Sequence, residues 1–358
     1  TMHQVPWTYE VNEALAAAYA DFYFDGDIAG MAWSITTGIR YVETTSTSDG
    51  FAVPLLDLEP SVGKPGFVNA IEGDDYAPVS VKNTYDNWLP SLNAKIDIVE
   101  DVIARFAYSK SITRPELDEL SPESSYSGGD IDHLTGSGSN PTLMPFESTN
   151  FDLGLEWYYA EGSYAAVAMF TKDVDGYLST EEVDEVVTVP SGTYDYKISR
   201  PVNSDQADIE GYEIAVQHMF TSLPAPFDGL GIIANKTFVD SESTTNDNEQ
   251  SLPLIGLGDS ANLILFYEKD DIQLRVAWNQ RDRFMQDKPE SWRDGHYVND
   301  YAQVDISGSY DINENLTVFF EGINITNELY VTTAKYQNQY LDVTENGPRY
   351  TLGIRGNF

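Results

Sequence analysis

Charged side chains recur at one phase inside apolar segments. Arg105 lies in "VIARFAYS", Arg275 in "IQLRVAWN" and Arg355 in "YTLGIRGNF", each preceded by an apolar residue. Lys95, Asp97, Asp152, Glu156 and Asp305 repeat the arrangement. Charges placed this way can brace one another as a lattice of salt bridges, or meet the charges and hydroxyls of a solute. Facing hydrocarbon, each would cost ~2–4 kcal/mol, so in a membrane they must share a watery side. A second group consists of aromatics and amides in polar stretches: Tyr85, Trp88, Trp292, Tyr297, Tyr336 and Asn338. Rings beside amides suit sugar faces and hydroxyls. They equally suit plain interfacial or loop-packing roles.

Other chemistry fares poorly. In "TKDVDGYLSTEE", Asp173, Asp175, Gly176 and Glu182 match positions three, five, six and twelve of a calcium loop, with Thr171 where the first Asp belongs. The flanks read as strand, so the expectation is a strand end running into an acidic loop. "GSGSN" has neither the strand–loop–helix context nor the lysine of a phosphate cradle. There is no cysteine, which excludes thiolate metal sites and a cysteine nucleophile. The four histidines, His3, His133, His218 and His296, do not pair at ligand spacing. The reading is no catalytic residue, no metal site and no cofactor.

Lys and Arg number 20 against 58 Asp and Glu, a formal charge of -38. A phosphate backbone needs a basic footprint, so no nucleic-acid partner is expected. Acidic loops attract cations and stay soluble, as does a chain adapted to a salty medium. No apolar run reaches the ~18 residues of a membrane helix. The chain opens "TMHQVPWTYE", without the basic start and apolar segment of a leader.

What must position the charges is a set of strands. "NFDLGLEWY" puts Phe151, Leu153, Leu155 and Trp157 on one face, with Asp152 and Glu156 on the other. "SLNAKIDI" and "AQVDISGSY" alternate likewise. Period two with one apolar face is the strand signature. About thirteen strands are expected, near 11–25, 29–44, 87–99, 102–112, 147–159, 163–174, 207–220, 230–240, 260–269, 272–281, 300–310, 316–326 and 349–358. Residues 11–25 also suit a short helix. Short turns, the first at Asp25-Gly26-Asp27, alternate with long polar loops at 45–86, 113–146, 175–206, 241–259, 282–299 and 327–348. A strict short–long rhythm puts all short turns at one end of a meander and all long loops at the other, the plan of an outer-membrane barrel. Rings at strand ends (Tyr108, Trp157, Trp278, Tyr310, Tyr350, Phe358) fit interfacial girdles.

Several stretches are similar to the TonB-dependent outer-membrane receptors. They include "LPSLNAKIDIVEDVIARFAYSKSITRPEL", "NPTLMPFESTNFDLGLEWYYAEGSYAAVAMFTKDVDGYL", "VFFEGINITNELY" and the closing "RYTLGIRGNF". The resemblance runs in order from about residue 8 to 358 and leans to the Caulobacter- and Xanthomonas-type subgroup. It implies a plug inside a 22-stranded barrel, uptake of a scarce solute, most readily an oligosaccharide, energy through the TonB system, and the outer membrane of a Gram-negative bacterium. The chain departs from this in showing neither a TonB box nor a plug-like segment. Residues 1–358 are therefore read as an all-β antiparallel meander, the C-terminal part of a transmembrane β-barrel with long extracellular loops. A passive porin or adhesin-type barrel, a siderophore or cobalamin receptor and an outer-membrane hydrolase remain as alternatives.

Overall fold

The computed structural model describes residues 9–73, 76–245, 248–289 and 294–357. Thirteen strands follow one another along a single antiparallel path: β1 Glu10–Ile28, β2 Met31–Ala52, β3 Ala77–Val99, β4 Val102–Thr113, β5 Phe146–Ala160, β6 Ser163–Val189, β7 Gly192–Met219, β8 Leu230–Thr245, β9 Ser260–Lys269, β10 Ile272–Arg281, β11 Tyr301–Asn313, β12 Leu316–Ile323 and β13 Arg349–Gly356. Among the described residues the one helical turn is the 3-10 segment Phe227–Gly229. Residues 11–25, which also suited a helix, lie in strand β1.

Register makes the two faces continuous. Arg105 pairs Lys95 on one side and Gly154 on the other; Arg275 pairs Ser307, which pairs Glu321, which pairs Thr351. Paired residues project to the same side of a sheet. One face therefore carries a polar set through all thirteen strands. The other carries Ile39, Phe106, Leu153, Leu155, Met169, Tyr212, Leu265, Val276, Phe320 and Leu352, all exposed. An apolar face this large, with nothing packed on it, is foreign to a water-soluble sandwich.

Two expectations change. The first turn is not at Asp25-Gly26-Asp27: β1 continues, Asp25 pairs Ser34, and the chain reverses at Ala29-Gly30, both with positive φ (57° and 84°). Such a turn matches strand twist, and Gly30 N donates to Asp27 Oδ1 at 2.9 Å. Gly26 is needed instead within the strand, because the Trp33 ring lies over it, 2.9 Å from where a Cβ would stand.

The long loops are also largely folded. Residues 175–206, expected as loop, continue β6 and β7 as one hairpin up to a turn at Pro190–Ser191. Pairing partners keep the polar backbone satisfied there, which a bare loop would not. Asp173, Asp175 and Glu182 thus lie along an extended strand and do not wrap a central point. Above the barrel wall stand a three-stranded sheet of Leu55–Pro60, Phe67–Glu72 and Gly129–Asp130, and a four-stranded sheet of Phe284–Asp287, His296–Val298, Tyr330–Thr333 and Tyr340–Thr344.

Candidate functional site

The candidate site is the polar face with the loop structures over its long-loop end. Lys95, Arg105, Asp152, Glu156, Arg275, Asp305 and Arg355 all fall on that face by register. Lys95 pairs with Asp97 at 2.9 Å and Arg105 with Glu156 at 2.8 Å, all partly exposed. Asp305 accepts from the Asn324 amide at 2.8 Å and from Gln303 Nε2 at 2.6 Å. Arg275 and Arg355 line, with Gln273, Ser307 and Glu321, a hollow of about 680 Å³. Ion pairs as exposed as Lys95–Asp97 and Arg105–Glu156 contribute ~1 kcal/mol or less each. A second hollow of about 780 Å³, bordered by Leu153, Leu155, Met169, Tyr212 and Phe238, opens on the apolar face. Its lining is mostly apolar, with Thr171, Glu210, Asp240 and Asp259 as its polar members.

The loop aromatics separate into distinct settings. Tyr85, expected in the loop 45–86, is corrected to strand: it lies in β3 with Trp88, three residues on, and so the two are on opposite faces. Tyr85 is 6% exposed on the polar face. Trp88 is on the apolar face against Tyr41, with ring centroids 4.9 Å apart. Period-two geometry forbids the two from joining one site. Trp292 lies outside the described residues.

Tyr297, Tyr336 and Asn338 are gathered by a residue that the sequence did not single out. Arg283 places its guanidinium 3.8 Å from the centre of the Tyr297 ring and donates to the carbonyls of Ala334 at 2.9 Å and Lys335 at 3.1 Å. The turn holding Tyr336 and Asn338 is thereby tied to the strand holding Tyr297. Tyr336 is 60% exposed and available to a solute. "RDRF" gives no sign of this, because the carbonyl partners lie some fifty residues away.

A small apolar core over the wall was likewise missed. Leu58, Val68, Leu134, Tyr196 and Ile198 form it, drawn from three different loops. Strand Leu134–Gly138 runs parallel to β7. At its margin Tyr126 donates to Glu185 at 2.7 Å, and Arg200 pairs with the other oxygen of Glu185 at 2.6 Å. Burial, then the hydrogen bond to the Glu185 carboxylate, push the Tyr126 hydroxyl up to about 12. Asp57 is held below the ordinary carboxylate range by its hydrogen bonds from Ser191 and the Leu58 amide. It fastens the three-stranded sheet to the β6–β7 hairpin.

Known proteins repeat this architecture. A family described as TonB dependent receptor-like, beta-barrel, matches residues 6–325. A curated protein of Haemophilus influenzae described as "Probable hemoglobin and hemoglobin-haptoglobin-binding protein 4" is 23% identical over 259 residues, 68% of this chain and 25% of its own length. Among solved structures, the ferric enterobactin receptor of Pseudomonas aeruginosa in complex with enterobactin superposes with a TM-score of 0.61 at 17% identity, over 97% of this chain and 55% of that one. The siderophore receptor PiuA of Acinetobacter baumannii gives 0.62 at 14% identity, over 97% and 44%. The chain spans about half the length of these structures, and a quarter of the curated relative.

Proposed function

The chain belongs to the TonB dependent receptor-like β-barrel family, and from that premise we propose that it forms part of an outer-membrane receptor that takes up a scarce solute with energy delivered through TonB. What supports the reading is a division of faces carried through thirteen registers, a mainly apolar side against a mainly polar one. Charged groups facing hydrocarbon cost several kcal/mol each, whereas charged groups facing a bore stay hydrated.

The wall is not closed by the strands described. β1 and β13 form the two ends of the path and do not pair with each other among the described residues. Both run toward the short-turn end, so they are parallel and cannot join in an antiparallel ladder. Unpaired edges in lipid cost several kcal/mol per backbone group. Further strands of a longer polypeptide complete the barrel in this reading, which places residues 1–358 in the C-terminal part of a 22-stranded barrel around a plug. No covalent chemistry is required.

For the solute, the chain's own residues favour an oligosaccharide. Arg283 links the strand of Tyr297 to the turn that carries the exposed Tyr336 and Asn338, rings and an amide of the kind that suits a sugar. The excess of 58 carboxylates over 20 cations works against an anionic ligand. A ferric chelate is the second reading, favoured by the siderophore receptors that share the fold. The assignment to the carbohydrate-linked subgroup stands or falls with the first reading.

The test is uptake by cells carrying the complete receptor, with and without TonB, on oligosaccharides and on ferric chelates. Uptake that needs both receptor and TonB is expected. Uptake that survives removal of TonB would make the protein a passive pore.

A further inference from the structure

Residues 114–145 leave β4 and return to β5 by folding across the polar face. Asn83, on the polar face of β3, donates through Nδ2 to the carbonyls of Thr142 at 3.1 Å and Leu143 at 3.2 Å. On the far side Asn203 donates to the Met144 carbonyl at 2.7 Å and accepts from the Met144 amide at 2.9 Å. Asn140 donates to the Pro201 carbonyl at 3.1 Å. Pro122 sits on Gly50, where an added Cβ would meet the proline ring at 2.8 Å. Leu120, Ser121 and Leu143 are buried. The segment thus bridges from β2–β3 to β6–β7 over the strands between.

Beneath it the shapes fit and the hydrogen bonds do not. Ser46 and Ser48, on the polar face of β2, are 3% and 1% exposed, and their hydroxyls have no partner. Asn87 is 5% exposed; its Nδ2 reaches Glu147 at 2.9 Å, but its Oδ1 is unpaired. Arg114, at the root of the segment and beside Tyr85, has its Nε buried without a partner. The two serine hydroxyls, Asn87 Oδ1 and Arg114 Nε give up water when the segment closes and gain no protein partner. The upper part of the segment differs. Leu134 is 1% exposed in the small apolar core, where closure is favoured.

We propose that the lower part of this segment, residues 114–122 and 140–145, is a displaceable cover over a hydroxyl-lined stretch of the bore wall. The segment is anchored above by Leu134; below, its polar ties are asparagine side chains, beside the buried Leu120 and Leu143. Release rehydrates Ser46, Ser48 and Asn87, so the closed form opposes itself at its polar contacts. This rests on the reading of the polar face as the solute's path.

Two measurements on the complete receptor test it. The first is hydrogen exchange of the amides of 114–122 and 140–145. Ser46→Ala with Ser48→Ala removes two unpaired hydroxyls and leaves the shape nearly intact. Exchange in those peptides is expected to slow by about tenfold. Unchanged or faster exchange overturns the proposal, and this readout needs no transport.

The second uses Gly50→Cys with Pro122→Cys in a cysteine-free background, which residues 1–358 already provide. Oxidation is expected to cut uptake by about tenfold or more, with recovery on reduction, because a fixed cover cannot leave the wall. Equal uptake by oxidised and reduced receptor overturns it. If the unmodified receptor takes up nothing, the uptake reading fails while the exchange result still judges the cover.

Discussion

Arg105 Nε donates to Glu156 Oε1 at 2.8 Å from the neighbouring strand, and the Tyr158 hydroxyl donates to the other carboxylate oxygen at 3.0 Å. The two partners are diagonal in the ladder: Arg105 faces Gly154 and Glu156 faces Ile103. The glycine opposite leaves the long side chain room to swing toward the carboxylate. The side chains are 49% and 23% exposed, so the pair is solvated rather than entombed.

A double-mutant cycle with Arg105→Met and Glu156→Gln should therefore return a coupling below ~1 kcal/mol that shrinks in high salt. Equilibrium unfolding of the complete receptor in vesicles measures it. A salt-independent coupling of several kcal/mol would contradict a hydrated bore.

The division of faces gives a sharper contrast. Leu155 is 43% exposed on the apolar face, and Leu155→Arg should cost ~2–4 kcal/mol near the bilayer midplane. Ala107, which pairs Asp152 on the polar face, should accept Arg within ~1 kcal/mol. The same folding assay ranks the two, and a reversed order removes the membrane reading.

Leu134 is 1% exposed in a core assembled from three loops. Leu134→Ala should cost ~2–5 kcal/mol locally, through lost burial and the cavity left behind. Faster hydrogen exchange in 55–72 and 187–198, with the strands of the wall unaffected, is the expected pattern.

Tyr126 supplies a pH signature. Its hydroxyl is raised to about 12 in the folded state, above the ordinary tyrosine value of 10.0. The folded form thus keeps its proton after the unfolded chain has lost it. The stabilising effect is whole below pH ~10 and is lost as pH rises toward ~12. Exchange protection in 124–138 should fall across that window, and Tyr126→Phe should remove that fall.

Arg283 ties Tyr297 to the turn of Tyr336 and Asn338. If these form the solute's first contact, Arg283→Ala and Tyr336→Ala should each weaken binding by ~1–2 kcal/mol, while Trp88→Ala on the apolar face leaves it unchanged. Titration calorimetry on the complete receptor with the solute that supports growth decides it.

Much of the wall was legible from residue order. Thirteen strands appear where alternation put them, and Arg105, Asp152, Arg275 and Arg355 fall on one face because parity along a strand is a local property. Local turn chemistry was less reliable. Asp25-Gly26 looks like a turn, yet pairing with Ser34 and Trp33 keeps it in the strand and moves the reversal to Ala29-Gly30. The rest of the site was hidden. Tyr85 looked like part of a loop beside Trp88, and only the length of β3 showed that the two point apart.

By itself, then, the sequence determined the sheet of the wall: which side of each strand is apolar and which is polar. Side-chain alternation and hydration cost act within a few residues, so they can be read in a line. Only the tertiary structure decided what stands over the bore. Leu58 with Leu134 and Ile198, Arg283 with Ala334, and Asn83 with Thr142 join residues more than fifty positions apart. Such contacts arise from the closure of long loops onto one another, and no local period in the chain records them.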